Sequence, residues 1–194
     1  MSPMDHQLAG EKAQARILAR ASLARDDAGS RSQESNRCCD HLAPLVNRGW
    51  VLAFVPLANE PNIRPLLEQL THDGRLLLPR IVGTTLVPHC PDSLASLETA
   101  KLGVQQPGEH TRRVAAADIG VVLVPGIAFG RDGSRLGRGA GFYDRFLGEH
   151  RHIRRVGVCF ETTFWTTVPN GPLDAPMHQV VTAAGLWLTS SRRQ

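Results

Sequence analysis

The sequence predicts an α/β fold: a single three-layer domain over residues 1–194, with a largely parallel central sheet flanked by helices in a Rossmann-like plan. Short apolar runs alternate with segments of helical period over much of the chain, the pattern of a sheet covered by helices. The strongest runs, residues 50–55, 76–78 and 119–124, are apolar on both faces, as in a parallel sheet with helices on both sides. At 194 residues, 42% of them hydrophobic, the chain is long enough for one sizeable core and short enough for one domain.

Residues 8–25, rich in alanine and arginine, read as a helix with Ile17, Ala21 and Ala24 on one face. Lys12, Arg16 and Arg20 are spaced four apart and form a basic stripe along it. Residues 31–47 read as a second helix with Cys38, Leu42 and Leu45 inward, closed by Gly49. The strand at 50–55 ends at Pro56. Residues 62–72 form a helix with Ile63, Leu66, Leu67 and Leu70 on one side. Residues 76–78 read as a strand stopped by Pro79, 84–87 as a short strand and 93–99 as a short helix. Residues 103–114 show no period and read as a loop. The strand at 119–124 enters a glycine-dense turn, and a helix over 142–150 leaves it. Residues 155–160 form a strand and 162–168 a short helix capped by Thr162. Residues 180–182 and 186–188 close the sheet as a hairpin around Ala184 and Gly185. Residues 1–7, 26–35 and 189–194 are expected to be flexible.

The formal net charge of +4 fits ordinary solubility, and with 5% aromatic residues there is little to stack bases on. No nucleic-acid partner is expected. The eight histidines show no metal-ligand spacing. Cys38, Cys39, Cys90 and Cys159 contain no Cys-x-x-Cys pair and read as reduced, structural thiols. Lys12, Arg16 and Arg20 interrupt any secretory leader, and no apolar stretch approaches a membrane span. The expectation is a cytoplasmic monomer acting on small molecules, without a membrane partner.

Chemistry concentrates in one segment. Arg135-Leu136-Gly137-Arg138-Gly139-Ala140-Gly141-Phe142-Tyr143-Asp144 follows an apolar strand and opens a helix. Side chains are missing at alternate positions beside Arg135 and Arg138, so backbone can approach an anion while guanidinium groups face it. No Gly-Lys-Ser/Thr follows, so it is not a Walker A loop, and Phe142 stands where the dinucleotide fingerprint needs its last glycine. Ligands of open α/β sheets sit beyond the carboxyl ends of the strands, which singles out two loops, residues 56–61 and 125–143. Asp144, in a first helical turn, is either a dipole-favoured carboxylate or a ligand for Mg²⁺.

The same segment, extended to Arg145-Phe146-Leu147 and preceded by Val124-Pro125-Gly126 and Ala128-Phe129, resembles the signature of the 5-formyltetrahydrofolate cyclo-ligase family. Lys12-x-x-x-Arg16, Phe54-Val55-Pro56-Leu57-x-x-Glu60, Leu78-Pro79-Arg80, Gly157-x-x-Phe160-Glu161, Asp174-x-Pro176 and Val180-Val181-Thr182 match in order, over about residues 12–182. The resemblance implies an enzyme that uses ATP as co-substrate with Mg²⁺. It turns 5-formyltetrahydrofolate into 5,10-methenyltetrahydrofolate, ADP and phosphate through a phosphorylated formyl intermediate.

Carried onto this sequence, the resemblance implies ATP binding by Lys12, Arg16, Arg135, Leu136, Gly137, Arg138, Gly139, Ala140, Gly141, Phe142 and Tyr143. It implies folate binding by Val55, Glu60, Arg138, Gly139, Ala140, Gly141 and Phe142, with catalytic roles for Arg138 and Tyr143 on an exposed loop. Asp144 and Asp174 are the implied magnesium ligands, and Arg80 is a weaker candidate for the folate's glutamate tail or a phosphate. The chain departs from the family pattern at Gly130 (usually aspartate), Thr163 (often glutamine), Leu173 (often histidine) and His178 (often acidic). These departures leave a non-catalytic nucleotide-binding paralogue as the alternative. A sugar-phosphate isomerase or transferase on a similar sheet is a more distant one.

Overall fold

The computed structural model describes residues 3–100 and 103–190. The chain opens with α1 (Pro3–Leu23) and α2 (Ala28–Leu42), followed by β1 (Trp50–Leu52), α3 (Arg64–His72), β2 (Leu76–Val82) and β3 (Thr85–Cys90). Three two-residue strands come next: β4 (Glu98–Thr99), β5 (Gln105–Gln106) and β6 (Arg112–Arg113). Then follow β7 (Ile119–Val124), the pair β8 (Ala128–Gly130) and β9 (Arg135–Leu136), and α4 (Phe142–Glu149). The remaining strands are β10 (Arg154–Val158), β11 (Phe164–Trp165), β12 (Gln179–Thr182) and β13 (Gly185–Leu188).

The main sheet has eight strands in the order β13-β12-β10-β7-β1-β2-β3-β6. Its five central strands, β12, β10, β7, β1 and β2, are parallel. β13, β3 and β6 add antiparallel pairings at the two sides. Alternate residues feed two cores, as the period of two requires. Val51, Leu76, Leu78, Val121, Leu123, Val156 and Val158 pack with Cys38 and Leu42 of α2 and with Leu66, Leu67 and Leu70 of α3. Leu52, Leu77, Val122 and Val124 face the other way, onto Phe129, Phe146, Leu147 and Ile153. That is the predicted three-layer arrangement.

From β1 the chain steps to β2 on one side, then crosses to β7 on the other and continues outward through β10 and β12. The loops leaving β1 and β7 therefore part in opposite directions, which opens a crevice between them at the carboxyl end of the sheet.

Several elements differ from the sequence reading. The face of α1 that is buried carries Ala15, Ala19 and Leu23, while Ile17 is 58% exposed. Small alanines let the helix backbone lie close on Ile127, Ala128 and Leu136, and a bulkier face would hold it off. Residues 3–7 belong to α1, and the polar stretch 26–35 is mostly α2, started by the Asp27 side chain on the Ser30 amide at 2.8 Å. Residues 1–2 and 191–194 of the expected flexible ends lie outside the described residues. Thr189 is buried and donates to the Met177 carbonyl.

β1 ends at Leu52 rather than Val55, although the Ala53 amide still reaches the Leu77 carbonyl. Pro56 cannot donate to a ladder, and Phe54 and Val55 turn away with it. β2 runs straight through Pro79, which faces Pro88 of β3, so neither proline deprives the other of a donor. Residues 93–99 give a 3-10 turn at Leu94–Ser96 and then β4, and residues 103–114 hold β5 and β6. The expected helix at 162–168 is a 3-10 turn at Glu161–Thr163 followed by β11, which pairs with β8. Thr162 caps nothing there; its hydroxyl donates to Asp26.

Phe129 is the wedge between the small sheet and the main one. It is fully buried, and a Cβ on Gly157 of β10 would lie 2.4 Å from its ring. Gly157→Val should therefore overpack this contact and lower stability by about 1–3 kcal/mol in denaturant unfolding, with little change in the slope.

Candidate active site

The crevice between the β1 and β7 loops is a cavity of about 1130 Å³. Most of the residues singled out from the sequence line it: Lys12, Arg16, Val55, Glu60, Arg135, Gly137 to Tyr143, Asp144 and Asp174. Leu136 does not. Its side chain is fully buried under α1, and its carbonyl accepts from Ile127, so it anchors the loop from behind. Arg80 lies outside the lining as well, tied to Glu98 and the Pro107 carbonyl.

The glycine segment owes its course to backbone that other residues resist. Gly139 has φ +108, and Gly141 has φ +68 at the position just before α4. Arg145, on the first turns of α4, fixes this bend from outside the cavity. Its guanidinium donates to the Ala140 carbonyl at 3.1 Å and to the Thr84 carbonyl at 3.0 Å. It also stacks 5.3 Å from the Phe142 ring centre. The glycine loop is thus bound to the β2–β3 turn.

Each cationic side chain in the crevice is met by an acceptor. Lys12 Nζ is 2.5 Å from Asp174 Oδ2, which also accepts the Gly171 amide. Arg16 Nε donates to the Gly137 carbonyl at 2.9 Å. Arg135, only 5% exposed in its side chain, donates to Asp144 Oδ1 at 2.6 Å and to the Pro125 carbonyl. Asp144 Oδ1 also takes the Ala175 amide at 3.2 Å, so the two aspartates stand at one corner of the cavity. Arg138 Nη2 reaches Glu60 Oε1 at 2.9 Å and Asn59 Oδ1 at 2.8 Å.

Tyr143 is not on an exposed loop, as the sequence reading expected. It is the second residue of α4, packed against the core. Its hydroxyl is buried and has no hydrogen-bond partner among the described residues. Burial and the nearby Glu60 carboxylate push it above the usual phenol range, and Arg135 pulls the other way. It is a neutral donor beside the carboxylate end of the cavity.

Magnesium ions take one or two carboxylates plus phosphate oxygens and water. Among the described residues no group of three or more acidic, histidine or cysteine side chains could hold a metal. Asp144 and Asp174 each spend one oxygen on a basic side chain. The pair therefore suits an ion that arrives with phosphate oxygens, and not an all-protein cage.

The structure adds residues that sequence reasoning missed. Asn59 is a second acceptor for Arg138, and Ala100, Val104, Gln105 and Gln106 around the β4–β5 hairpin wall the cavity. Asn59 had a signal, its place beside Glu60 in the loop after β1; the hairpin had none. At Gly130 a side chain would collide: a Cβ there lies 2.3 Å from both Asp132 Oδ1 and Ser134 Oγ. Asp132 supplies the loop-ordering carboxylate that the sequence lacks at 130. It accepts the Ser134 amide, the Ser134 hydroxyl and the Thr167 hydroxyl.

An open α/β sheet with an arginine- and glycine-lined crevice at its switch point defines an enzyme class that acts on small molecules. The chain belongs to the 5-formyltetrahydrofolate cyclo-ligase family, whose sequence profile matches residues 10–183. It is 31% identical over 153 residues to the 5-formyltetrahydrofolate cyclo-ligase of Escherichia coli K12, covering 74% of this chain and 83% of that one. It is 34% identical over 157 residues to that of Mycolicibacterium smegmatis, covering 70% and 79%. Among solved structures, Aquifex aeolicus 5,10-methenyltetrahydrofolate synthetase superposes with a TM-score of 0.82 at 25% identity, covering 94% of this chain and 95% of that one.

Burial resists charging Asp132, but its bonds to Ser134 and Thr167 outweigh that and hold its carboxyl below the usual range. A carboxyl lowered on folding stabilises the fold above its unfolded value, and that contribution fades as pH falls through the folded value. Asp132→Ala should therefore cost about 1–3 kcal/mol at neutral pH. The gap from wild type should close in acid, as read by thermal unfolding from pH 7 to pH 3.

Proposed function

We propose that this chain is an ATP-dependent 5-formyltetrahydrofolate cyclo-ligase. The reading is supported above all by one crevice lined both by a basic, side-chain-poor loop and by the buried Glu60 carboxylate. A formyl amide is a poor electrophile, so its oxygen has to become a leaving group. The formyl oxygen attacks the γ-phosphorus of ATP and ADP departs. N10 of the folate then bonds to the formyl carbon and gives up its proton, and the carbon–oxygen bond breaks to release phosphate. The product is 5,10-methenyltetrahydrofolate.

Such a reaction asks the protein for positioning and charge neutralisation rather than for a nucleophile. Lys12, Arg16 and Arg135 with the amides of residues 137–141 would hold the phosphates. Glu60 would accept hydrogen bonds from the amino and ring N–H groups of the pterin, with Val55 beside it. Arg138 and Tyr143, both close to Glu60, would act where the phosphoryl group moves. Asp144 and Asp174 would hold Mg²⁺ together with nucleotide oxygens. When bound, the ion neutralises charge on the phosphates.

The alternative, a nucleotide-binding paralogue without turnover, drew on Gly130, Thr163, Leu173 and His178. None of the four is among the cavity's lining residues, and Asp132 takes the ordering role at Gly130. That favours turnover. Purified protein with 5-formyltetrahydrofolate and MgATP is expected to develop the absorbance of the methenyl product. Folded protein that binds ATP and yields no product would favour the paralogue instead.

Two substitutions separate chemistry from folding. Tyr143→Phe should lose turnover by tenfold or more, about 1.4 kcal/mol or greater in the barrier, with thermal stability unchanged or slightly raised, because an unpaired buried hydroxyl is removed. Gly139→Val puts a branched side chain at positive φ and should weaken nucleotide binding at least tenfold by calorimetry while leaving folate binding nearer its original value.

A further inference from the structure

Both oxygens of Glu60 are already engaged. Its side chain is 3% exposed; Oε2 accepts the Leu57 amide at 2.9 Å and Oε1 accepts Arg138 Nη2 at 2.9 Å. The proposed pterin contact is therefore filled by the protein itself. The edge of a pterin presents an amino group and an adjacent ring N–H on one carbon, the same donor arrangement as a guanidinium. Arg138 is a chemical stand-in for the substrate. It is also the more exposed partner of the pair: its side chain is 39% exposed, and it stands between Gly137 and Gly139 in the loop assigned to phosphate.

We propose that Arg138 is a positioning residue that couples the two substrates. In the empty protein it occupies the pterin's place on Glu60, with Asn59 as its second acceptor. An arriving pterin takes over Glu60, and Arg138 is released toward the phosphates of the nucleotide. A buried carboxylate cannot be left unpaired cheaply, so the exchange of one donor for the other is concerted. Each substrate then raises affinity for the other, since linkage between binding sites is reciprocal. This inference rests on the proposed cyclo-ligase reading and on Glu60 as its pterin anchor.

Calorimetry on the full chain tests it, with 5-formyltetrahydrofolate and a non-hydrolysable ATP analogue in Mg²⁺. In wild type, saturating folate should tighten binding of the analogue about tenfold, within the usual range of such couplings. Arg138→Ala should abolish that dependence. It should also make the empty protein bind folate several-fold more tightly than wild type, because the competitor for Glu60 is gone. An arginine that merely contacts bound folate would give the opposite sign. Asn59→Ala, which keeps Arg138 but removes one of its acceptors, should tighten folate binding by a smaller factor. If wild type binds both ligands and Arg138→Ala weakens folate or leaves it unchanged, the coupling is wrong and the cyclo-ligase reading stands. If wild type binds neither ligand, both fall together.

Discussion

The parting of β1 and β7 is the constraint on which the site depends. Five parallel strands place their carboxyl ends along one rim, but only between these two do the outgoing loops diverge. The loop after β1 brings Asn59 and Glu60; the connection after β7 brings the glycine segment. α1 then crosses the β8–β9 hairpin on Ala15 and Ala19, close enough for Arg16 to bond the Gly137 carbonyl. The basic stripe reaches the cavity because the residues beside it on the buried side of the helix are so small.

Within the crevice, three of the four cationic side chains are paired with carboxylates, and Arg16 meets a carbonyl. Lys12 with Asp174, Arg135 with Asp144, and Arg138 with Glu60 make three ion pairs around one space. Such pairs are poor sources of net stability, because removing two charges from water costs about as much as their attraction returns. Their effect is to fix orientation. The buried cysteines play no part in this: Cys38, whose thiol burial pushes up to about 12, and Cys159, also raised by burial, lie in the cores outside the cavity lining.

The two ends of the argument from sequence, the parallel sheet and the glycine-arginine loop, were readable because both are local patterns. An apolar run buried on both faces needs no partner to announce itself, and glycines beside arginines before a helix are rare without a reason. What escaped reading depended on distant residues. Pro79 continues a strand only because Pro88 faces it. Phe164 and Trp165 become strand only because β8 offers a partner. The inward face of α1 is made of alanines, which contrast weakly with the polar side, so Ile17 was a false guide. Gly130 looked like a defect until Asp132 was seen to fill the space that its missing side chain leaves.

Lys12 and Asp174, 162 residues apart, close one corner of the crevice. During synthesis the first helix must wait for 162 further residues before its lysine finds that carboxylate. A ribosome-bound fragment ending before Asp174 can hold the glycine loop yet lacks this corner. This corner of the crevice is thereby completed late in translation, well after the glycine loop has emerged.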